Sequence, residues 1–170
     1  SDNVTIDDNN DVNGTFAAGV ALNGTTNSTV DGNTFSNLGG SGVWAKDADN
    51  VTVTYNVIDG TWQNASRGTG AGVHVETTVG ATVSNNTIDN TNNGGDGVEV
   101  NGSLGVKVTD NQIGTAGAGS IDAEGIDVNN SPATQITGNT VQNTGSNGIS
   151  INPSPNSLIA DNNVSFFGDD

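Results

Sequence analysis

Six times along the chain the same spacing returns. An apolar-x-apolar strand begins at Val20, Val43, Val73, Val98, Ile126 and Ile149. Ten residues after each start stands a β-branched residue: Val30, Val53, Val83, Val108, Ile136 and Ile159. Three further on stands asparagine, at Asn33, Asn56, Asn86, Asn111, Asn139 and Asn162. Two more residues bring back an apolar position at Phe35, Ile58, Ile88, Ile113, Val141 and Val164. Irregular loops do not keep such a register; stacked repeats do. A period in the twenties, with three short strands per unit and none able to bury its apolar face alone, predicts a β-solenoid. Stacking the coils about 4.7–4.9 Å apart pairs each strand with its equivalents above and below, in parallel sheets round a Val/Ile core. The asparagine column fits a buried ladder, because an amide one coil up supplies both the donor and the acceptor its neighbour needs. Asparagine also suits a left-handed corner between the second and third strands.

Residues 125–141, Gly-Ile-Asp-Val-Asn-Asn-Ser-Pro-Ala-Thr-Gln-Ile-Thr-Gly-Asn-Thr-Val, hold one such unit. With its ladder the chain resembles, over nearly its whole length, the right-handed parallel β-helix repeats of the pectate-lyase-like superfamily. The resemblance implies an all-β, right-handed parallel β-helix of about six to seven three-stranded coils, a single domain over residues 1–170. It implies no particular activity. That superfamily contains pectate lyases, polygalacturonases, alginate epimerases and phage tailspikes, and also non-catalytic adhesins.

The two ends are expected to be open. Val4, Ile6 and Asn9 match a second strand and the ladder, but Asp11 stands where an apolar residue is expected, and a shifted turn would put Val12 there. No amphipathic helix precedes them to act as a cap, and the last copy finishes at its third strand with Phe166 and Phe167 beyond. An uncovered solenoid end offers unpaired backbone over exposed core, which favours continuation in a longer protein or self-association end to end.

Charge narrows the partners. Nineteen Asp and Glu against three Lys and Arg give a net charge of −16. Phosphate recognition needs a basic face, so nucleic acid is excluded as an expected partner. Such charge keeps a protein soluble in salt and attracts cations, which makes a halophilic source plausible. The chain has no cysteine, so disulfides and thiolate metal sites are ruled out. No apolar run reaches the length of a membrane span, and no signal peptide is visible, as in a mature secreted protein. Ten Asn-x-Ser/Thr sequons occur, with Asn23, Asn101 and Asn129 at equivalent positions just after the first strand; they permit glycosylation in such a context.

Length variation is confined to one corner. From each ladder asparagine to the next first strand the interval is 10, 17, 12, 15 and 10 residues. Insertions in a solenoid gather on the face that binds. The longest loop, 59–72, holds Trp62, Gln63, Asn64, Ser66 and Arg67, and the next, 114–125, carries Asp122 and Glu124.

Alternation turns the middle residue of each first strand outward: Ala21, Trp44, His74, Glu99, Asp127 and Ser150. The residue after the strand adds Asn23, Lys46, Glu76, Asn101, Asn129 and Asn152. Asp96 and Glu124 lie two residues before it on the fourth and fifth copies. Asp96, Glu99, Glu124 and Asp127 therefore fall on neighbouring coils as two stacked pairs. Either they raise one another's pKa and recruit Ca²⁺ or Mg²⁺, which take oxygen ligands, or they are ordinary acids on an acidic surface. Trp44, with Trp62 and Arg67 in the adjoining loop, offers a platform for a sugar ring, or else Trp62 packs down on Trp44 to shield the corner. His74 is placed for a general base beside Glu99 and Asp127, or is an incidental exposed histidine.

The resemblance implies further signatures that are missing. Polygalacturonase-like members need His-Gly and Arg-x-Lys beside an Asp cluster, but His74 is flanked by Val73 and Val75 and no Arg-x-Lys occurs. A lyase needs a basic residue, for which only Lys46 and Arg67 qualify, since Lys107 belongs to the second strand. A face this negative also repels polyuronates unless Ca²⁺ bridges them. The expectation is thus an extracellular or cell-surface structural or adhesive module, assembling end to end or forming part of a longer filament. The alternative is a carbohydrate-active enzyme (polysaccharide lyase, epimerase or hydrolase) or sugar-binding domain working on the first-strand face.

Overall fold

The computed structural model describes residues 2–8, 10–61, 70–115 and 121–165. Its described strands form three parallel sheets, of six, seven and seven strands, stacked in chain order. The six-stranded sheet collects the first strands: Val20–Asn23, Val43–Lys46, Val73–Glu76, Val98–Asn101, Ile126–Asn129 and Ile149–Asn152. The second strands, Thr5–Ile6 to Leu158–Ala160, and the third strands, Asp11–Asn13 to Asn163–Ser165, make the other two. This is the expected β-solenoid of about six turns. Among the described residues no helix is long and apolar enough to cross a membrane.

Period-2 alternation decides what goes inside. Val98 and Val100 of one first strand are fully buried, as are Val108 of the second strand and Ile113 of the third. Each pairs in register with the same position on the coils either side, so the core is a set of aliphatic columns. Ahead of each first strand a glycine is required by close approach. A Cβ on Gly97 would lie 2.5 Å from both Gly125 O and Ile113 Cγ2, and one on Gly72 would lie 2.3 Å from Ile88 Cγ2.

The asparagine ladder runs unbroken through the buried corner. Asn56, Asn86 and Asn111 each donate from Nδ2 to the Oδ1 of the next coil's asparagine at 3.0 Å, and their backbone N–H groups donate to the same oxygens. Each Nδ2 also donates to the carbonyl of the preceding coil's second strand, as from Asn86 to Val53 at 2.9 Å. Two details differ from the sequence reading. The left-handed residue is the one before the ladder asparagine: Gly32, Tyr55, Asn85, Asp110, Gly138 and Asp161 all have φ between 53° and 70°. The ladder's first member is Asn10, which donates to Asn33 Oδ1 at 3.0 Å; Asn9 lies outside the described residues. The turn after Ile6 is one residue longer than in later coils, and Val12 accordingly pairs with Phe35 in the core register.

A second ladder, which the sequence reading missed, lines the corner after the first strand. Thr78 N–H donates to Ser103 Oγ, Ser103 N–H to Ser131 Oγ and Ser131 N–H to Ser154 Oγ, at 2.9–3.0 Å. Ala48 interrupts this column, and the Thr25 hydroxyl beyond it has no hydrogen-bond partner among the described residues. At the last coil Ile159 and Val164 are 52% and 40% exposed, whereas Ile136 and Val141 one coil earlier are fully buried. Phe166 and Phe167, expected at an end-to-end contact, lie outside the described residues.

Candidate functional site

The outer face of the first-strand sheet brings together most of the expected residues. Parallel pairing aligns Ala21, Trp44, His74, Glu99, Asp127 and Ser150 in one column. The indole of Trp44 stacks on the imidazole of His74, with ring centroids 6.3 Å apart and planes 22° from parallel. Its neighbour on the other side in register is the small, exposed Ala21.

Lys46 and Glu76 brace the aromatic end. Lys46 Nζ bonds Glu76 Oε1 at 2.8 Å and lies 5.6 Å from the Trp44 ring centroid, while Trp44 Nε1 donates to Glu76 Oε2 at 3.2 Å. The Lys46 ammonium holds the Glu76 carboxyl below its usual range, and the hydrogen bond to Glu76 raises Lys46. Lys46 therefore stays protonated and is a poor general base. Lys107 stands on a different sheet, as expected.

His74 and Glu99 are not surface groups. They point outward, yet they are 9% and 8% exposed, which corrects the reading of an exposed histidine. His74 Nε2 lies 3.6 Å from Glu99 Oε2, too far for a hydrogen bond. Both atoms are shut from solvent and neither has a hydrogen-bond partner among the described residues. Alternation along a strand assigns the face but says nothing of what covers it, so this burial carried no sequence signal.

The acidic end is built on two coils. Asp96, 8% exposed, accepts the backbone N–H of Glu124 at 3.0 Å. Burial pushes its carboxyl up to about 8 against the pull of that hydrogen bond, and the negative charges of Glu99, Asp127 and Glu124 add to the rise. Asp127 accepts a hydrogen bond from the amide of Asn129, and Glu124 one from Ser146 Oγ at 3.0 Å. Asp122 takes the backbone N–H of Gly94. Among the described residues no group of three or more His, Asp and Glu is arranged to hold a metal ion. Trp62 and Arg67, expected to complete a sugar platform, lie outside the described residues. At the ends of two third strands Thr61 Oγ1 donates to Gly70 O and Thr91 Oγ1 to Gly95 O, each at 2.7 Å.

A family model for the right-handed β-helix region matches residues 1–124. No curated protein sequence matches the chain. Among solved structures, the periplasmic alginate epimerase AlgG aligns with a TM-score of 0.73 at 20% identity, over 96% of this chain and 39% of its own. An alginate lyase from Paenibacillus sp. str. FPU-7 gives 0.65 at 16% identity, over 85% of this chain and 52% of its own. The enzymatically active domain of bacteriophage CBA120 tailspike protein 2 gives 0.58 at 13% identity, over 99% and 25%. The chain thus spans about two-fifths of the epimerase and about half of the lyase. At these identities the likeness is one of fold.

Proposed function

The chain belongs to the right-handed β-helix family, and from that premise we propose that it is a carbohydrate-active domain that holds a polysaccharide on the outer face of its first-strand sheet. One observation carries this reading: the in-register column Trp44, His74, Glu99 and Asp127, aromatic at one end and carboxylate at the other. Three coil steps make it about 14 Å long, room for a short run of sugar rings. Trp44 gives such a ring an apolar face with a polar edge. Asp96, whose carboxyl burial pushes up to about 8, is suited to a general acid, and Glu99 and Asp127 bring further carboxyl groups on its own and the next coil. The solved neighbours, named for alginate epimerisation, alginate lysis and an enzymatically active tailspike, support this reading better than a structural or adhesive module. The epimerase named as periplasmic supports an extracytoplasmic setting.

The test is a panel of neutral, acidic and amino polysaccharides. Binding is read by calorimetry, and turnover by new reducing ends and by the ultraviolet absorbance of unsaturated sugars. At least one polysaccharide is expected to bind, and Trp44→Ala to weaken it about tenfold, the loss of one aromatic–sugar contact. Asp127→Asn is expected to abolish turnover. A folded chain that binds and converts nothing on the panel would return the reading to a structural module.

A further inference from the structure

We infer that the polysaccharide this face takes is a basic one, built of sugars that carry free amines, and not a polyuronate like the alginate named for its structural neighbours. The inference rests on the carbohydrate reading above and concerns which glycan the same face selects.

Among the described residues the face is short of donors and rich in acceptors. Its carboxylates are Glu76, Asp96, Glu99, Glu124 and Asp127. The donors beside them are spent on those same groups. Lys46 and Trp44 are bound to Glu76, Asn129 to Asp127 and Ser146 to Glu124. What is left over is a buried pair, Glu99 Oε2 and His74 Nε2, 3.6 Å apart and neither with a hydrogen-bond partner among the described residues. One imidazole nitrogen against five carboxyls still leaves an excess of acceptors. A protonated amine brings three donors and one positive charge, which answers both deficits at once. The carboxylate of a uronate brings neither.

Charge points the same way. Of the three basic residues, Lys46 is already neutralised by Glu76, Lys107 lies on another sheet, and Arg67 lies outside the described residues. A uronate chain would add one carboxylate per sugar to a face already crowded enough to help keep Asp96 protonated. Like charges set opposite one another across an interface select against that partner. The net charge of −16 extends the same field over the whole molecule.

The test uses three soluble hexasaccharides: a glucosamine hexamer, its fully N-acetylated counterpart, and an oligouronate. Each is titrated into the whole chain by calorimetry at about 0.15 M salt, where distant charges are screened. The glucosamine hexamer is expected to bind at least about tenfold tighter than the acetylated one, with no measurable uronate binding. Glu99→Gln with Asp127→Asn should erase that preference. Asp31→Asn with Asp110→Asn, an equal change of charge outside the first-strand sheet, should keep it. Circular dichroism and melting show that each variant is folded, and Asp127→Asn alone serves if the first pair is not. Equal loss in both double variants would reduce the effect to general attraction between polyions and overturn the inference. Acetylated or uronate hexamers binding as tightly as the amine would overturn it too, while leaving the carbohydrate reading intact. If none of the three binds and the wider panel also fails, both fall.

Discussion

Asn111 shows how much of the fold hangs on single side chains. Its Nδ2 donates to Val83 O at 2.9 Å and to Asn139 Oδ1 at 3.0 Å, while its Oδ1 accepts both the backbone and the side-chain N–H of Asn86. Asn111→Leu would orphan several groups in a fully enclosed corner. Each costs about 1–3 kcal/mol when left unpaired, so a loss of at least about 3 kcal/mol in urea denaturation is expected. An unchanged midpoint would mean the amides find other partners. The residue before the ladder obeys a different rule. Tyr55 has φ 53° and is 65% exposed, where other coils place glycine, asparagine or aspartate. The left-handed region costs an ordinary side chain about 1–2 kcal/mol, which asparagine largely escapes. Tyr55→Asn should therefore stabilise the chain by about 0.5–1 kcal/mol, read the same way. No gain would mean that the tyrosine ring recovers the strain through its contacts.

At the scale of the coil, two ladders and a glycine column set the stacking distance, and only part of this is legible in the sequence. The asparagine ladder is legible because one residue type recurs at one spacing in six copies. The second ladder is not, because its positions Thr25, Ala48, Thr78, Ser103, Ser131 and Ser154 mix three residue types in a chain rich in all of them. The trace it leaves in the sequence has the form of glycosylation sequons. The sequons at Asn23, Asn101 and Asn129 end in Thr25, Ser103 and Ser131, the buried hydroxyls of this column. The interruption at Ala48 can be filled. On the pattern of its neighbours, Ala48→Ser sets an acceptor above the N–H of Thr25 and should add about 1 kcal/mol, the net worth of one hydrogen bond. Gly97→Ala is the converse case. Its Cβ would lie 2.5 Å from a backbone carbonyl that cannot yield without spreading two coils, so a loss of about 1–3 kcal/mol is expected. Thermal melts of the two variants should move in opposite directions. A glycine variant as stable as the parent would show that the stack breathes at this corner.

Over the whole molecule the sequence places the column of the site correctly, because alternation and register are matters of counting. It is silent on burial, which depends on what lies across the face. That silence matters most for Asp96, whose carboxyl reads on paper as one surface acid among nineteen and in the fold is 8% exposed and pushed up to about 8. A group whose pKa is raised by folding contributes stability that is complete below its unfolded value, about 3.9, and is lost as pH rises through the folded one. Asp96 should thus weaken the fold progressively between about pH 4 and 8. Glu76 acts in the opposite sense, since its pKa is lowered by Lys46, and its contribution disappears only as pH falls below the ordinary carboxylate range. The two effects leave a stability maximum at about pH 4–5, within the ordinary carboxylate range, and the net charge of −16 adds repulsion that grows as pH rises from there. Melting temperatures of the parent should fall from pH 5 to 8. Those of Asp96→Asn, which keeps an oxygen for the N–H of Glu124 without the charge, should fall less and should exceed the parent's most at pH 8. Raising NaCl at fixed pH separates the two causes, because screening relieves the diffuse repulsion but not the desolvation of a buried carboxylate. If the parent and Asp96→Asn fall in parallel at every salt concentration, Asp96 is ionised in the fold at neutral pH, and the general acid assigned to this face has to be sought in another carboxyl.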